Sequence, residues 1–138
     1  MADKGGDRIM ELKNRSQYLD KLISVQDMEV IKVVTGIRRC GKSSLLKLMM
    51  AHLRERGVME EQILSMNFES MQFADMDSKS LYQYVTERAP KEKRLYLFLD
   101  EVQKVRNWQD AVNSFRVDLD CDIYVTGSNS KLMSSEIS

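Results

Sequence analysis

The residues best suited to chemistry stand in one short run, Gly36-Ile37-Arg38-Arg39-Cys40-Gly41-Lys42-Ser43. The spacing G-x-x-x-x-G-K-S suits a loop whose glycines let the backbone curl, so that successive N–H groups point at phosphate oxygens. Lys42 then offers a point charge to β- and γ-phosphates, and the Ser43 hydroxyl offers a ligand to Mg²⁺. A helix beginning near Lys42 and running on through Ser44 adds its N-terminal dipole. An ordinary glycine-rich turn is the alternative. It is disfavoured because an apolar strand pattern leads into the motif and an amphipathic helix pattern leaves it. Arg38 and Arg39 either add positive field near the phosphates or a neighbouring subunit, or point outward into solvent. Cys40 reads as a small packed residue rather than a redox centre.

A second constellation follows. The apolar run Leu95–Leu99 (LYLFL) ends in Asp100-Glu101. In metal-assisted phosphoryl transfer an Asp there holds Mg²⁺ through its water shell, and a Glu polarises the attacking water. A solvated loop pair is the competing reading, and the phosphate loop weighs against it. Asp122–Thr126 (DIYVT) runs into Gly127-Ser128-Asn129-Ser130. Ligands of open α/β sheets sit outside the carboxyl ends of the strands, so Ser128 or Asn129 is placed to meet a γ-phosphate or the water. A plain turn rich in Gly, Ser and Asn is the alternative. Asn67 and Glu69 end another strand at the same edge, in either a site or a capping role. Gln103 and Arg106 read as surface residues, and His52 as solvated or half-buried.

These groups need a scaffold, and the pattern supplies one. Val30–Thr35, Ile63–Phe68, Leu95–Leu99 and Asp122–Thr126 read as strands, LYLFL as one buried on both faces of a parallel sheet. Arg8–Ser24, Ser44–Arg56, Ser78–Arg88 and Trp108–Val117 read as amphipathic helices. Gly57 stops the second, Pro90 the third, and Asn107 is placed to cap the fourth. The inward faces are Leu45, Leu48, Met49 and Leu53, then Leu81, Tyr84 and Val85, then Trp108, Ala111, Val112 and Phe115. Alternating strands and helices predict an α/β fold with about four mostly parallel strands.

Composition bounds the rest. The 138 residues make one domain with a real core. Equal counts of 21 basic and 21 acidic residues give no support to broad nucleic-acid or membrane binding. Cys40 and Cys121 lack metal-ligand spacing and read as reduced cytoplasmic thiols. No apolar run approaches membrane-span length. The ten methionines read as core filler, and residues 1–7 as disordered or cloning-derived.

With those residues placed, the chain resembles a family of bacterial and archaeal AAA-type ATPases that usually carry a nuclease-like C-terminal domain. The matching stretches are VVTGIRRCGKSSLL, NFES, LFLDEVQKVRNWQDAV and IYVTGSNSKLMSSEIS, with YLDKLI near the start. The resemblance implies a P-loop NTPase fold of three α/β/α layers, with the TGSNS strand between the phosphate-loop strand and the acidic-pair strand. It implies ATP as the nucleotide, Lys42 and Ser43 as nucleotide and Mg²⁺ residues, Asp100 as the metal residue, Glu101 as catalytic base, and Ser128 or Asn129 as sensor. It implies continuation past SSEIS into a fifth strand, a lid and a further domain. Residues 8–138 are thus expected to be an N-terminal fragment, with an open sheet edge covered by a second copy or a terminal segment. ATP binding with weak or absent turnover is expected of the fragment. A protein or nucleic-acid partner is expected through the missing region. The alternative is a regulatory nucleotide switch with little turnover.

Overall fold

The computed structural model describes residues 17–35 and 39–128. Residues 1–16, Gly36, Ile37, Arg38 and Asn129 onward, all of which carry expectations above, lie outside the described residues. Residues 17–24 are helical (α1). There follow β1 (Lys32–Val34), α2 (Arg39–Glu55), β2 (Ile63–Asn67), α3 (Ser78–Arg88), β3 (Leu95–Asp100), α4 (Trp108–Asp118) and β4 (Cys121–Thr126). The strands form one sheet in the order β1-β4-β3-β2, every pair parallel. The TGSNS strand therefore lies between the other two, as expected.

Helices cover both faces. Side chains alternate across a strand, so Leu95, Leu97 and Leu99 of β3 and Ile123 and Val125 of β4 pack with Leu81 and Val85 of α3 and Val112 and Phe115 of α4. Tyr96, Phe98, Tyr124 and Val34 turn the other way, against Leu45, Leu46, Met49 and Leu53 of α2 and Leu22 of α1. All six positions of β3 are buried. Three layers result.

Local chemistry sets the boundaries. The Asp77 side chain accepts from Ser80 N at 3.0 Å and caps α3. Ala89, forced extended by Pro90, ends it. Gly57, at φ +95°, supplies the left-handed turn after α2. Asn107 stands at the N-cap of α4, but it is left-handed and makes no side-chain cap bond. Its backbone carbonyl, not its amide group, accepts from Asp110 N.

Three expectations shift. α2 begins at Arg39, not Ser44, so the second half of the glycine motif belongs to the helix. Leu48 is 41 % exposed. Residues fall about 100° apart around a helix, and the buried Leu46 and Met50 rotate the inward face away from Leu48. β1 is shorter than Val30–Thr35 because its pairing with β4 runs only from Lys32↔Tyr124 to Val34↔Thr126. Among the described residues β1 has no second neighbour. A groove of about 380 Å³ runs between it and α1, lined by Tyr18, Leu22, Val25, Val30, Val33 and others.

The amino edge of the sheet is closed by a buried polar network. Lys32 of β1 pairs with Asp122 of β4, both within 4 % of full burial. Lys32 Nζ also donates to the Met28 carbonyl. Asp122 Oδ2 accepts from the Tyr124 hydroxyl at 2.6 Å and from Asp27 N at 2.9 Å. Asp27, left-handed at φ 65°, accepts in turn from the Tyr96 hydroxyl at 2.8 Å. This ties the segment between α1 and β1 to the central strands. Burial, reinforced by the bond to Asp27, pushes the Tyr96 phenol up to about 12. Burial and Asp122 push Tyr124 higher in the same direction.

Two outcomes follow from that network. Removing one member of a buried ion pair strands the other, at a cost of about 3–5 kcal/mol. Asp122→Ala should lose that much in urea unfolding, with Lys32→Met/Asp122→Ala together losing less. The second concerns alkali. An unfolded tyrosine releases its proton near pH 10, whereas Tyr96 holds its own to about 12. Between those values the folded chain binds more protons, so stability falls as pH rises. Phenolate absorbance at 295 nm should rise for these tyrosines only together with loss of circular dichroism.

Candidate functional site

Because every strand runs parallel, all carboxyl ends share one edge, and α2 starts there after β1. In register, Asn67 of β2 pairs with Asp100 of β3, and Val34 of β1 with Thr126 of β4. Asp100 and Thr126 continue the rows of Phe98 and Tyr124, the face that packs on α2. The first turns of α2 therefore deliver Lys42 and Ser43 onto them.

The contacts are close. Ser43 Oγ donates to Asp100 Oδ2 at 2.5 Å, and Thr126 Oγ1 donates to Asp100 Oδ1. Glu101 N donates to Thr126 Oγ1 at 2.9 Å, so one hydroxyl serves both acidic residues. Lys42 Nζ donates to the Gly127 carbonyl at 2.9 Å and lies 3.7 Å from Glu101 Oε2. Gln103 Nε2 donates to Glu101 Oε1 at 2.8 Å. Lys42, Asp100 and Glu101 are only 6 %, 6 % and 7 % exposed. Charges so far from water persist only when paired and hydrogen-bonded, and each of these has such partners.

Glu101 is left-handed at φ 58°, ψ 50°, a conformation that costs a non-glycine residue about 1–3 kcal/mol and clusters at functional sites. A short 3₁₀ turn, Val102–Lys104, follows it, with Val102 and Val105 buried beneath.

The donor set fits a hard divalent cation. The Ser43 hydroxyl and Asp100 carboxylate are oxygen ligands side by side, the small protein share that Mg²⁺ takes when phosphates and water complete its shell. Among the described residues no group of three or more His, Cys, Asp or Glu side chains forms a metal cage. The α2 N-terminus has no acidic residue in its first turn, so its positive end is not offset from within the helix.

Gly41, Lys42, Ser43 and Ser44 thus lie at the start of α2, and Lys42 and Ser43 meet Asp100 and Glu101. Arg39 and Cys40 contribute their backbone to α2. Ser128 stands exposed just past Gly127. Asn67 accepts from Glu69 N at 3.0 Å, a local capping bond. Arg106 is exposed, 4.0 Å from Asp77, and His52 is half-buried on α2. Gln103 corrects the surface reading, because it is half-buried against Glu101. Thr126, the first residue of TGSNS, is the contact with Asp100 and Glu101 that attention to Ser128 and Asn129 missed. Its signal was a hydroxyl on the same face as Tyr124.

The sequence model of a family described as an AAA domain matches residues 29–138. An uncharacterized protein of Haemophilus influenzae is 40% identical over 126 residues, 90% of this chain and 32% of that protein. An uncharacterized protein of Methanocaldococcus jannaschii is 28% identical over 130 residues, 93% of this chain and 28% of that protein. The chain spans about a third of the length of these curated relatives. No solved structure matches it significantly.

Thr126→Val keeps the shape and strands Glu101 N. Leaving a buried donor unpaired costs about 1–3 kcal/mol, to be read from urea unfolding, and Thr126→Ser should recover most of it.

Proposed function

The chain belongs to the AAA-domain family, and from that membership we propose that it binds ATP with Mg²⁺ and that the full-length protein hydrolyses the γ-phosphate. The observation that carries this reading is the meeting of Lys42 and Ser43 with Asp100 and Glu101 at one sheet edge. Residues 36–44 cradle the phosphates through backbone N–H groups, with Lys42 giving up Gly127 and Glu101 for the β- and γ-phosphates. Ser43 and Asp100 would hold Mg²⁺, which would supply positive charge against the phosphates. Glu101 takes a proton from the water that attacks the γ-phosphorus, and ADP and phosphate leave. Ser128, exposed just past Gly127, and Asn129, which follows it in sequence, are the candidate sensors.

One observation favours a second reading. Lys42 Nζ lies 3.7 Å from the carboxylate assigned as base, a partner that a phosphate would replace. Nucleotide binding exchanges the partners of both, as a regulatory switch with little turnover requires. In either case a protein or nucleic-acid partner receives the change of state.

The described residues contain no helix long and apolar enough to cross a membrane. Cys121 is a free thiol that burial pushes up to about 11, which suits a thiol left unreactive in a reducing cytoplasm.

Glu101→Gln in the full-length protein separates the two readings. Under hydrolysis, nucleotide affinity stays within about threefold while single-turnover ATP cleavage falls by about 10²–10⁴. Under the switch, wild type and variant bind alike and neither turns over. Lys42→Ala should weaken binding itself, and equal affinity in that variant would remove the phosphate site from Gly36–Ser43.

A further inference from the structure

We infer that Gln103 is a positioning residue for Glu101, a clamp that fixes which carboxylate oxygen faces the phosphate loop. This rests on the reading of Glu101 as the base. Gln103 Nε2 donates to Glu101 Oε1 at 2.8 Å, leaving Oε2 as the oxygen near Lys42. The carboxylate of a residue in the left-handed region has no strand alternation to aim it, so its direction must come from contacts.

Three restraints converge on Glu101. Thr126 Oγ1 holds its N–H. The 3₁₀ turn that follows is closed by Lys104 N on the Glu101 carbonyl at 3.2 Å and by Val105 N on the Val102 carbonyl at 2.9 Å. Val102 and Val105, 0 % and 1 % exposed, anchor that turn in the core, so Gln103 is held where it is. Gln103 then holds the carboxylate.

The orientation of the Gln103 amide supports the clamp. Its Oε1 is buried and meets no hydrogen-bond partner among the described residues. Turning the amide over would set that oxygen against a carboxylate, which when ionised only accepts. The side chain therefore leaves a buried carbonyl bare in order to donate to Glu101. A buried carbonyl without a protein partner calls for an explanation, and the bond from Nε2 to Glu101, which fixes the amide this way round, supplies one.

Gln103→Glu, nearly isosteric but without the donor when ionised, and Gln103→Leu test this at neutral pH. Both should lower single-turnover ATP hydrolysis by about tenfold or more, while affinity for a fluorescent ATP analogue stays within about twofold and Tm holds. Full activity in Gln103→Glu, or rate, affinity and Tm falling together, would overturn the proposal. These rates are measured in the full-length protein, and a full-length wild type that binds ATP without cleaving it would sink the hydrolysis reading instead. The clamp is then read directly from the Gln103 side-chain amide resonances. They should move on Glu101→Ala if the bond exists, and an unmoved signal rejects it.

Discussion

Parallel pairing of β4 between β1 and β3 is the constraint on which the rest depends. It brings the carboxyl ends of the strand that leads into α2, a hydroxyl-bearing strand and an acidic strand to one edge. It also fixes which face each residue presents. Even-numbered positions of β1, β3 and β4 look toward α2, and odd ones of β3 and β4 toward α3 and α4. A slip of one residue would turn Asp100 and Thr126 into the apolar layer on the far side. Register and site are therefore one property of the chain.

The α2-facing rows are polar at both ends and apolar between. Lys32 and Asp122 close the amino end, Val34, Phe98 and Tyr124 fill the middle, and Asp100 and Thr126 close the carboxyl end. The stacked rings of Phe98 and Tyr124, 4.8 Å apart, separate the two polar zones. The zones differ in kind. At the amino end Asp122 is held by a lysine, a phenol and a backbone N–H at once, so nothing there invites a ligand. At the carboxyl end the lysine is held by a carbonyl and a carboxylate 3.7 Å away, partners that a phosphate can replace. Both zones bury charge, but only one holds it exchangeably.

Much of this was legible beforehand. Four strands and α3 follow from apolar runs and turn residues, the meeting of Lys42, Ser43, Asp100 and Glu101 from the phosphate-loop spacing and the acidic pair, and the order of the TGSNS strand from the family resemblance. What escaped needed pairing partners. Lys32 and Asp122 each interrupt an apolar strand with a charge of opposite sign, yet only the register, which sets Lys32 opposite Tyr124 and so beside Asp122 on the same face, shows that they meet. Gln103 read as surface because sequence gives no sign that a strand's end bends back. Leu48 read as core because a short apolar helix face can be centred in more than one way. Gly36, Ile37, Arg38 and Asn129 fall outside the described residues, so their roles rest on the motif.

The bend at Glu101 explains how two consecutive acidic residues reach one site. In an extended strand Asp100 would face α2 and its successor would face α3 and α4, where Leu97, Leu99 and Val102 leave no place for a carboxylate. A left-handed residue at 101 breaks the alternation and returns its side chain to the α2 side, within 3.7 Å of Lys42. The strain at Glu101 is offset by the Thr126 hydroxyl on its N–H and by the buried turn behind it. An Asp at 101 would be a methylene shorter, and a glycine would relieve the strain but carry no carboxylate. The position thus asks for a long acidic side chain in a conformation that favours none, and the polar contacts around it are what make that arrangement stable.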